Sequence, residues 1–461
     1  MTADAAGLDE SIEKMRAEGV ADTAIATFAD LYERLRSGDS GLIAEAGIEP
    51  VTALPDADEL GPGGDDVLDR AVVLKLNGGL GTSMGLDGPK SLLEVKDGQT
   101  FLDITARQVL ALRQRTGARL PLVLMNSFST REPSLEVLAR HAGLAADVPP
   151  DFVQNKEPKL EAQSLRPVSW PADPALEWAP PGHGDLYPAL VSSGMLAALL
   201  EAGYRYAFVA NVDNLGAVLD PRILGWFAAQ DIPFLMEVAD RTEADRKGGH
   251  LARRRDGGGL VLREIAQTPD SDVDAFQDVE RHRFFNTNNL WLDLRALDSV
   301  MRAREGVLGL PMIVNRKTVD PRDPSSPAAI QLETAMGAAI GVFEGARALR
   351  VPRTRFAPVK TTDDLLALRS DAYVLTEEMH VTLAPSRARP PFIDLDDRFY
   401  KRVGDFEARF AAGAPSLLEC ESLRVAGDVA FGAGVVVRGS VQLAASGEAQ
   451  ERVDDGAVLE G

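Results

Sequence analysis

From residue 71 onward the chain alternates short apolar runs with helical patterns, and this alternation limits the folds open to it more than any other feature. The runs are "AVVLKLN", "LPLVLMNS", "DFVQN", "YAFVANVDN", "FLMEVAD", "LVLREIAQ" and "FFNTNNLWLDL". Between several of them lie stretches such as "DITARQVLALRQRTG" and "LVSSGMLAALLEAG", whose apolar residues recur at helical spacing. Strands alternating with helices bury their apolar faces in layers, so the pattern predicts an α/β domain with a largely parallel or mixed central sheet. Polar residues collect where the runs end, at Asn77, Asn126, Asp213 and Asn286. Open α/β sheets bind ligands outside the carboxyl ends of their strands, so the site is expected there.

The flanks read differently. Residues 1 to about 50 carry apolar residues at three- and four-residue spacing in "LDESIEKMRAEGV" and "AIATFADLYERLRSG", which predicts helices, the second closed by Gly38. The following "LPDADELGPGGDD" reads as a linker. Near the other end, Leu423, Val429, Val435 and Val441 recur every six residues, with glycines at 427, 432, 434 and 439. A six-residue period with glycine at the turns predicts a short left-handed β-helix, and Val453 and Leu459 keep its register after a polar insertion. The expected organisation is a helical segment over 1–60, a catalytic domain over 61–370, and a C-terminal region over 371–461 holding the β-helix. So short a column has exposed ends, so it should stack on the main domain or on a second copy, apart from the chemistry.

Charge narrows the ligands. The chain has 49 Lys and Arg against 70 Asp and Glu, a formal net charge of -21. That balance repels nucleic acid and anionic membranes, so neither is an expected partner. An anionic ligand must be held by a local cluster of N–H groups and lysines. The one cysteine, Cys420, forms no internal disulfide and reads as a small buried or half-buried residue in a reducing compartment. No apolar run approaches the ~20 residues needed to span a bilayer. The acidic N-terminus lacks the pattern of a secretory signal, so the expected location is the cytoplasm.

One stretch offers such a local cluster: "KLNGGLGTSMGLDGPKS", Lys75 to Ser91. It is not a P-loop, because Pro89 rather than glycine precedes Lys90. Nor is it the dinucleotide fingerprint, because the sixth position counted from Gly79 is Met84. A glycine-rich loop after a buried strand can still adopt positive φ and turn its N–H groups inward, letting a planar base or a phosphate approach. Lys90 adds a point charge beside that nest, and Pro89 limits its directions. Farther along, Asp213 ends an apolar strand as a hard-oxygen carboxylate of the kind Mg²⁺ prefers. Asn286 and Asn288 alternate in "FNTNNLW" and offer amides that both donate and accept. Thr361 and Asp364 resemble a capping box, which sets Lys360 at a helix N-terminus where phosphate is favoured.

The loop matches the pattern "LNGGLGT-MG----PKS", and "MNSF", "GHGDLYPAL", "NVDNLG", "KGGHL", "EIAQTP", "FNTNNLW", "LETAMGAAI" and "VKTTDDLL" follow it in order. Together they resemble the UTP–glucose-1-phosphate uridylyltransferase family of eukaryotic type, the UDP-glucose pyrophosphorylases. The resemblance is dense over about 70–370 and looser at both ends. It implies a nucleotide-diphosphosugar transferase-like α/β fold, with a mixed central sheet flanked by helices, and the reaction of UTP with glucose 1-phosphate. It assigns Lys90 and Lys360 to catalysis. It assigns Leu80, Gly81, Thr82, Gln154, Gly184, Asn211 and Asp213 to the nucleotide, with Asp213 also holding Mg²⁺. His183, Gly248, Gly249, Glu264, Asn286, Asn288 and Phe356 fall to the sugar phosphate, His183 as a phosphate donor. It also implies association of copies through the C-terminal region, although that tail is short. The alternatives are a broad-specificity UDP-sugar pyrophosphorylase, a bifunctional uridylyltransferase–acetyltransferase, against which the short tail argues, and a non-catalytic sugar-nucleotide sensor or scaffold.

Overall fold

The computed structural model describes residues 6–445, 447 and 449–461. The first residues of the helical segment, 1–5, and positions 446 and 448 of the polar insertion lie outside the described residues.

A ten-stranded mixed sheet forms the centre. The strands Tyr206–Asn211, Ala71–Asn77, Leu122–Asn126 and Asp151–Val153 run parallel side by side. Phe284–Asp293 joins antiparallel to Tyr206–Asn211 and also pairs with Phe234–Asp240 and His250–Arg254. Side chains alternate across a strand, so Val72 and Leu74 enter one core while Ala71 and Val73 enter another on the opposite face. These runs are apolar on both faces because both faces are covered.

The helix α3, Phe101–Thr116, follows the glycine loop. It begins at a capping box between Thr100 and Asp103 and ends at Gly117, where φ is 73°. The stretch "LVSSGMLAALLEAG" does not give one helix. Gly194, at φ 77°, breaks it into Leu186–Ser192 and Met195–Glu201. The helices expected at the N-terminus form as α1, Ala6–Ala17, and α2, Asp22–Arg36. Their apolar stripe (Met15, Ile25, Phe28, Leu31) packs on Leu160, Met312, Ile330 and Leu332 of a separate three-stranded sheet.

Two flanking expectations change. Ile48–Pro50 is a strand of the central sheet, paired with His250–Arg254. The stretch read as a linker is a packed strap: Asp56 is ion-paired to Arg350, Ala57 is buried, and Gly64 lies against the carbonyl of Pro221. Its Gly and Asp content serves close backbone approach rather than slack.

The C-terminal strands stack in parallel, Phe392–Leu395, Ser416–Ala426, Val436–Ala444 and Val458–Glu460, with Val429–Phe431 beside Glu451–Val453 on a second face. Leu423 stands in register with Val441, one coil made of three six-residue turns. Leu423, Val429, Val435 and Val441 are all buried. Val453 and Leu459 continue the column beneath Phe431 and Val437. The column stacks on the main domain: its core is continuous with Met84 of the glycine loop and with Leu93, Val95, Phe101 and Ile104, which follow it. Arg402 also crowds Gly85 within that loop. The coil and the loop therefore share one core, as expected for a column that stacks on the main domain. Val435→Asp buries a charge in this shared core and is expected to cost on the order of 3 kcal/mol. Urea unfolding checks this, and an unchanged midpoint would contradict the shared core.

Candidate active site

The carboxyl ends of the parallel strands open into a cleft of about 350 Å³. The Ala71–Asn77 strand supplies Leu76, then Gly78 and Gly79, and the loop returns Lys90. Its neighbours supply Met125, Gln154, Asn211 and Asp213, and Gly182 with His183 closes one side. A larger cleft, about 550 Å³, lies at the opposite ends of the same strands around Arg70, Arg205 and Trp226. It holds none of the residues singled out in the sequence, and strand amino ends are not where open α/β sheets bind ligands.

The loop keeps its shape by local means. Gly81 and Gly85 take φ of 63° and 72°, a region open to glycine at little cost. The Lys90 amide donates to the Gly79 carbonyl at 3.1 Å and closes the loop. A side chain at Gly78 would collide with the amide oxygen of Gln154, so the bare backbone lets these two meet. Asn77 and Asn126, expected near the site, lie beneath it instead. Asn77 Nδ2 donates to Asn126 Oδ1 and to Ser134 Oγ, both at 2.7 Å, and Asn126 Nδ2 donates to Asp151 at 3.1 Å. They brace the strand ends and leave the cleft to Gln154, whose N–H donates to the Asn126 carbonyl.

Lys90 Nζ lies 2.6 Å from Asp213 Oδ2. His183 accepts a hydrogen bond at Nδ1 from the Met336 amide, 2.9 Å, which leaves its proton on Nε2. Burial pushes this imidazole down to about 4, so it donates as a neutral group at physiological pH. Met336 is held in turn by Tyr187, whose hydroxyl donates to its carbonyl at 2.6 Å. Gly184 stands behind the cleft: a side chain there would strike Thr334. The glycine on the lining is Gly182, which the sequence reading passed over and whose φ is 77°. Leu80, Gly81 and Thr82 form the loop's partly exposed crest.

A second cluster gathers the residues assigned to the sugar. Gly249 accepts from the Asn286 amide at 2.9 Å, and its Cα faces the Glu264 carboxyl so closely that a methyl would not fit. Gly248 precedes it in a turn closed on Asp245. Asn286 Nδ2 donates to Asn288 Oδ1 at 2.8 Å. These two do not simply alternate along a strand. Met236 pairs with Leu290 and Val238 with Asn286, so the Phe284–Asp293 strand bulges between them, and Asn288 sits at φ 60°. Burial raises Glu264 to about 7. The Phe356 ring packs on Phe285 at 4.8 Å, and Lys360 Nζ stands over Phe356 at 5.5 Å.

The capping box before Thr362–Arg369 forms as expected, but it changes the reading of that helix end. Asp364 accepts from the amides of Lys360 and Thr361, at 2.8 and 3.0 Å, and Asp363 stands beside it. The N–H groups there are already served by carboxylates, so the favourable charge for phosphate comes from the exposed Lys360 side chain. Lys360 is not on the cleft lining. Its segment is tied instead to the residue after Asp213: the Ala357 amide donates to Asn214 at 3.0 Å.

The model of the family described as UTP–glucose-1-phosphate uridylyltransferase matches residues 25–438. The enzyme of that name from Solanum tuberosum is 42% identical over 443 residues, covering 94% of this chain and 90% of its own length. The one from Hordeum vulgare is 41% identical over 465 residues, covering 98% and 95%. Among solved structures, a point mutant of UDP-glucose pyrophosphorylase from Leishmania major superposes with a TM-score of 0.92 at 46% identity, covering 100% of this chain and 99% of its own. With the loop, the Lys90–Asp213 pair and the cluster around Glu264 and Asn286 all standing on a fold these proteins share, the chain belongs to the UTP–glucose-1-phosphate uridylyltransferase family.

Proposed function

We propose that this cleft makes UDP-glucose and pyrophosphate from UTP and glucose 1-phosphate. The observation that carries the proposal is the meeting of a bare glycine loop, Lys90 and Asp213 at the strand ends of a member of this family. The sugar phosphate oxygen attacks the α-phosphorus in line and pyrophosphate leaves on the opposite side. The attacking phosphate has a second pKa of about 6, so it arrives ionised and needs no general base. The residues align the two substrates and neutralise charge. Backbone N–H groups of Leu80, Gly81 and Thr82 and the Gln154 amide hold the base and ribose. Asn211 reaches the ribose, and Gly184 fixes the turn that aims Gly182 and His183. His183 donates its Nε2 proton to the sugar phosphate. Glu264, Asn286 and Asn288 bond sugar hydroxyls over the backbone of Gly248 and Gly249, with Phe356 as an apolar wall. Lys90 and Lys360 stabilise charge on the phosphates.

A divalent cation fits Asp213. Among the described residues no three His, Cys, Asp or Glu side chains gather to hold a metal unaided. Mg²⁺ instead takes one or two carboxylates and completes its shell with phosphates and water, which is what Asp213 and the Asn211 amide offer. Bound there, it would offset charge on the nucleotide phosphates. Among the described residues no helix is long and apolar enough to cross a membrane. The buried lone Cys420 supports work in a reducing cytoplasm. Association of copies would use the outer coil, where Val458 is 51% exposed on the terminal strand of its sheet.

Pyrophosphate release from UTP, measured with a panel of sugar 1-phosphates, tests the proposal. Glucose 1-phosphate should be the preferred acceptor. Equal turnover of galactose 1-phosphate would widen the enzyme to a broad-specificity one, and release with none would leave a binding protein.

Three variants sharpen the assignment. Lys90→Ala should keep UTP binding within about tenfold and cut turnover by ~10² or more, because its charge matters most as pyrophosphate departs. Asp213→Asn should shift the Mg²⁺ titration of the enzyme, read by calorimetric metal binding as well as by rate, to higher concentration. Glu264 tests the buried carboxyl through pH. Its folded value, about 7, lies above the ordinary 4.5, so its contribution to stability is full below about 4.5 and lost as pH rises through 7. Glu264→Gln removes that loss, so the variant should gain stability over the wild type at pH 8 but not at pH 4. Parallel urea curves at both values would contradict this.

A further inference from the structure

The loop after Asp213 is fastened by buried side chains that the reaction does not touch. Lys75 Nζ donates to the Ala217 carbonyl at 2.7 Å, and Gln108 Nε2 to the Leu215 carbonyl at 3.1 Å. Gly216 lies so close to the Thr354 carbonyl that a side chain would not fit. Asn214, directly after Asp213, makes the most telling contacts. Its Nδ2 donates to the carbonyl of Arg355 at 3.1 Å and its Oδ1 accepts from Ala357 N. Asn289 Nδ2 donates to the same Arg355 carbonyl at 3.2 Å.

Arg355 is itself fixed. Its Nε and Nη2 reach the two oxygens of Glu237 at 2.8 and 2.6 Å. Glu237 is 0% exposed and also accepts from Asn289 Nδ2 and Trp291 Nε1. Every oxygen of this carboxylate is therefore satisfied, and the guanidinium has a single buried counter-charge. The network joins three parts of the sheet to the segment that carries Phe356 and Lys360. Beside it, the segment meets the Asp213 loop through backbone contacts, Asn214 with Pro358 and Gly216 with Thr354.

We propose that Arg355 is a positioning residue for uridylyl transfer: held by Glu237, it locks the Phe356–Lys360 segment onto Asn214, and so sets Lys360 against the same phosphates as Lys90 and Asp213. The proposal rests on the uridylyltransferase reading above. A bidentate fork holds direction as well as distance, which a lysine at the same place cannot do. Misplacing a catalytic charge by about 1 Å can cost ~10²-fold in rate.

The test is a double-mutant cycle on the full chain, with Arg355→Lys, Lys360→Ala and the double variant. UTP turnover, KM for both substrates and urea stability are measured for each. Arg355→Lys should lower kcat about tenfold or more while leaving KM for UTP within about threefold. In the Lys360→Ala background the same substitution should lower kcat less than twofold, although it lowers stability equally in both backgrounds. Equal losses of kcat in the two backgrounds would overturn the proposal, because a merely structural arginine acts without regard to Lys360. If Arg355→Lys does not fold, Asn214→Ser goes through the same cycle, with the same non-additivity expected and additivity again decisive against it. A wild type that releases no pyrophosphate with any sugar phosphate would instead refute the reaction itself.

Discussion

The parallel pairing of Leu76 with Asn211 is the contact on which the site depends. It places the end of one strand, and the glycine loop that follows, beside the end of another that leads into Asp213. Lys90 and Asp213, 123 residues apart in sequence, then meet at 2.6 Å. Nothing local in either segment brings them together. A slip of one residue would turn Leu76 away from the cleft and into the opposite core, so the apolar alternation that builds two cores also fixes the chemistry. The asparagines beneath, Asn77 and Asn126, pin the strand ends from below and leave the backbone above them free.

The charge of the whole chain sharpens this dependence. A formal -21 opposes the approach of a nucleotide triphosphate, and the cleft overcomes it with few groups. On the proposed reading, Lys90, the backbone of the loop and a neutral histidine donor are the groups that would face its phosphates. Neutrality at His183 follows from burial and from the Met336 amide on its other nitrogen. Asp213 is paired with Lys90, whereas Asp185, buried behind Gly184, is raised to about 7 and bonded to Asn155.

Much of this was legible in the sequence. The alternation of apolar runs announced the α/β sheet, and the six-residue period of Leu423, Val429, Val435 and Val441 announced stacked coils, because both patterns are local consequences of burial. Gln154, His183, Asn211 and Asp213 fall on one cleft as the motifs implied. What was not legible arises between distant segments. The strap around Asp56 looks like a linker because its Asp and Gly residues serve Arg350 and Pro221, far along the chain. The sharing of one core by Met84 and Val441 has no local signature. Glu237 is a single charged residue inside an apolar run, and only its meeting with Arg355 across 118 residues shows why it is buried. The break at Gly194 and the bulge at Asn288 were hidden differently: each is one residue with positive φ inside a pattern that is otherwise regular.

The central claim is that this site works by alignment and charge, in one displacement, with no covalent intermediate on the protein. Stereochemistry at the α-phosphorus decides it most directly. With UTP carrying a single sulfur of defined configuration on that phosphorus, and glucose 1-phosphate as acceptor, one in-line displacement predicts UDP-glucose of inverted configuration. Retention would require two displacements through a residue of the enzyme, and would contradict the account.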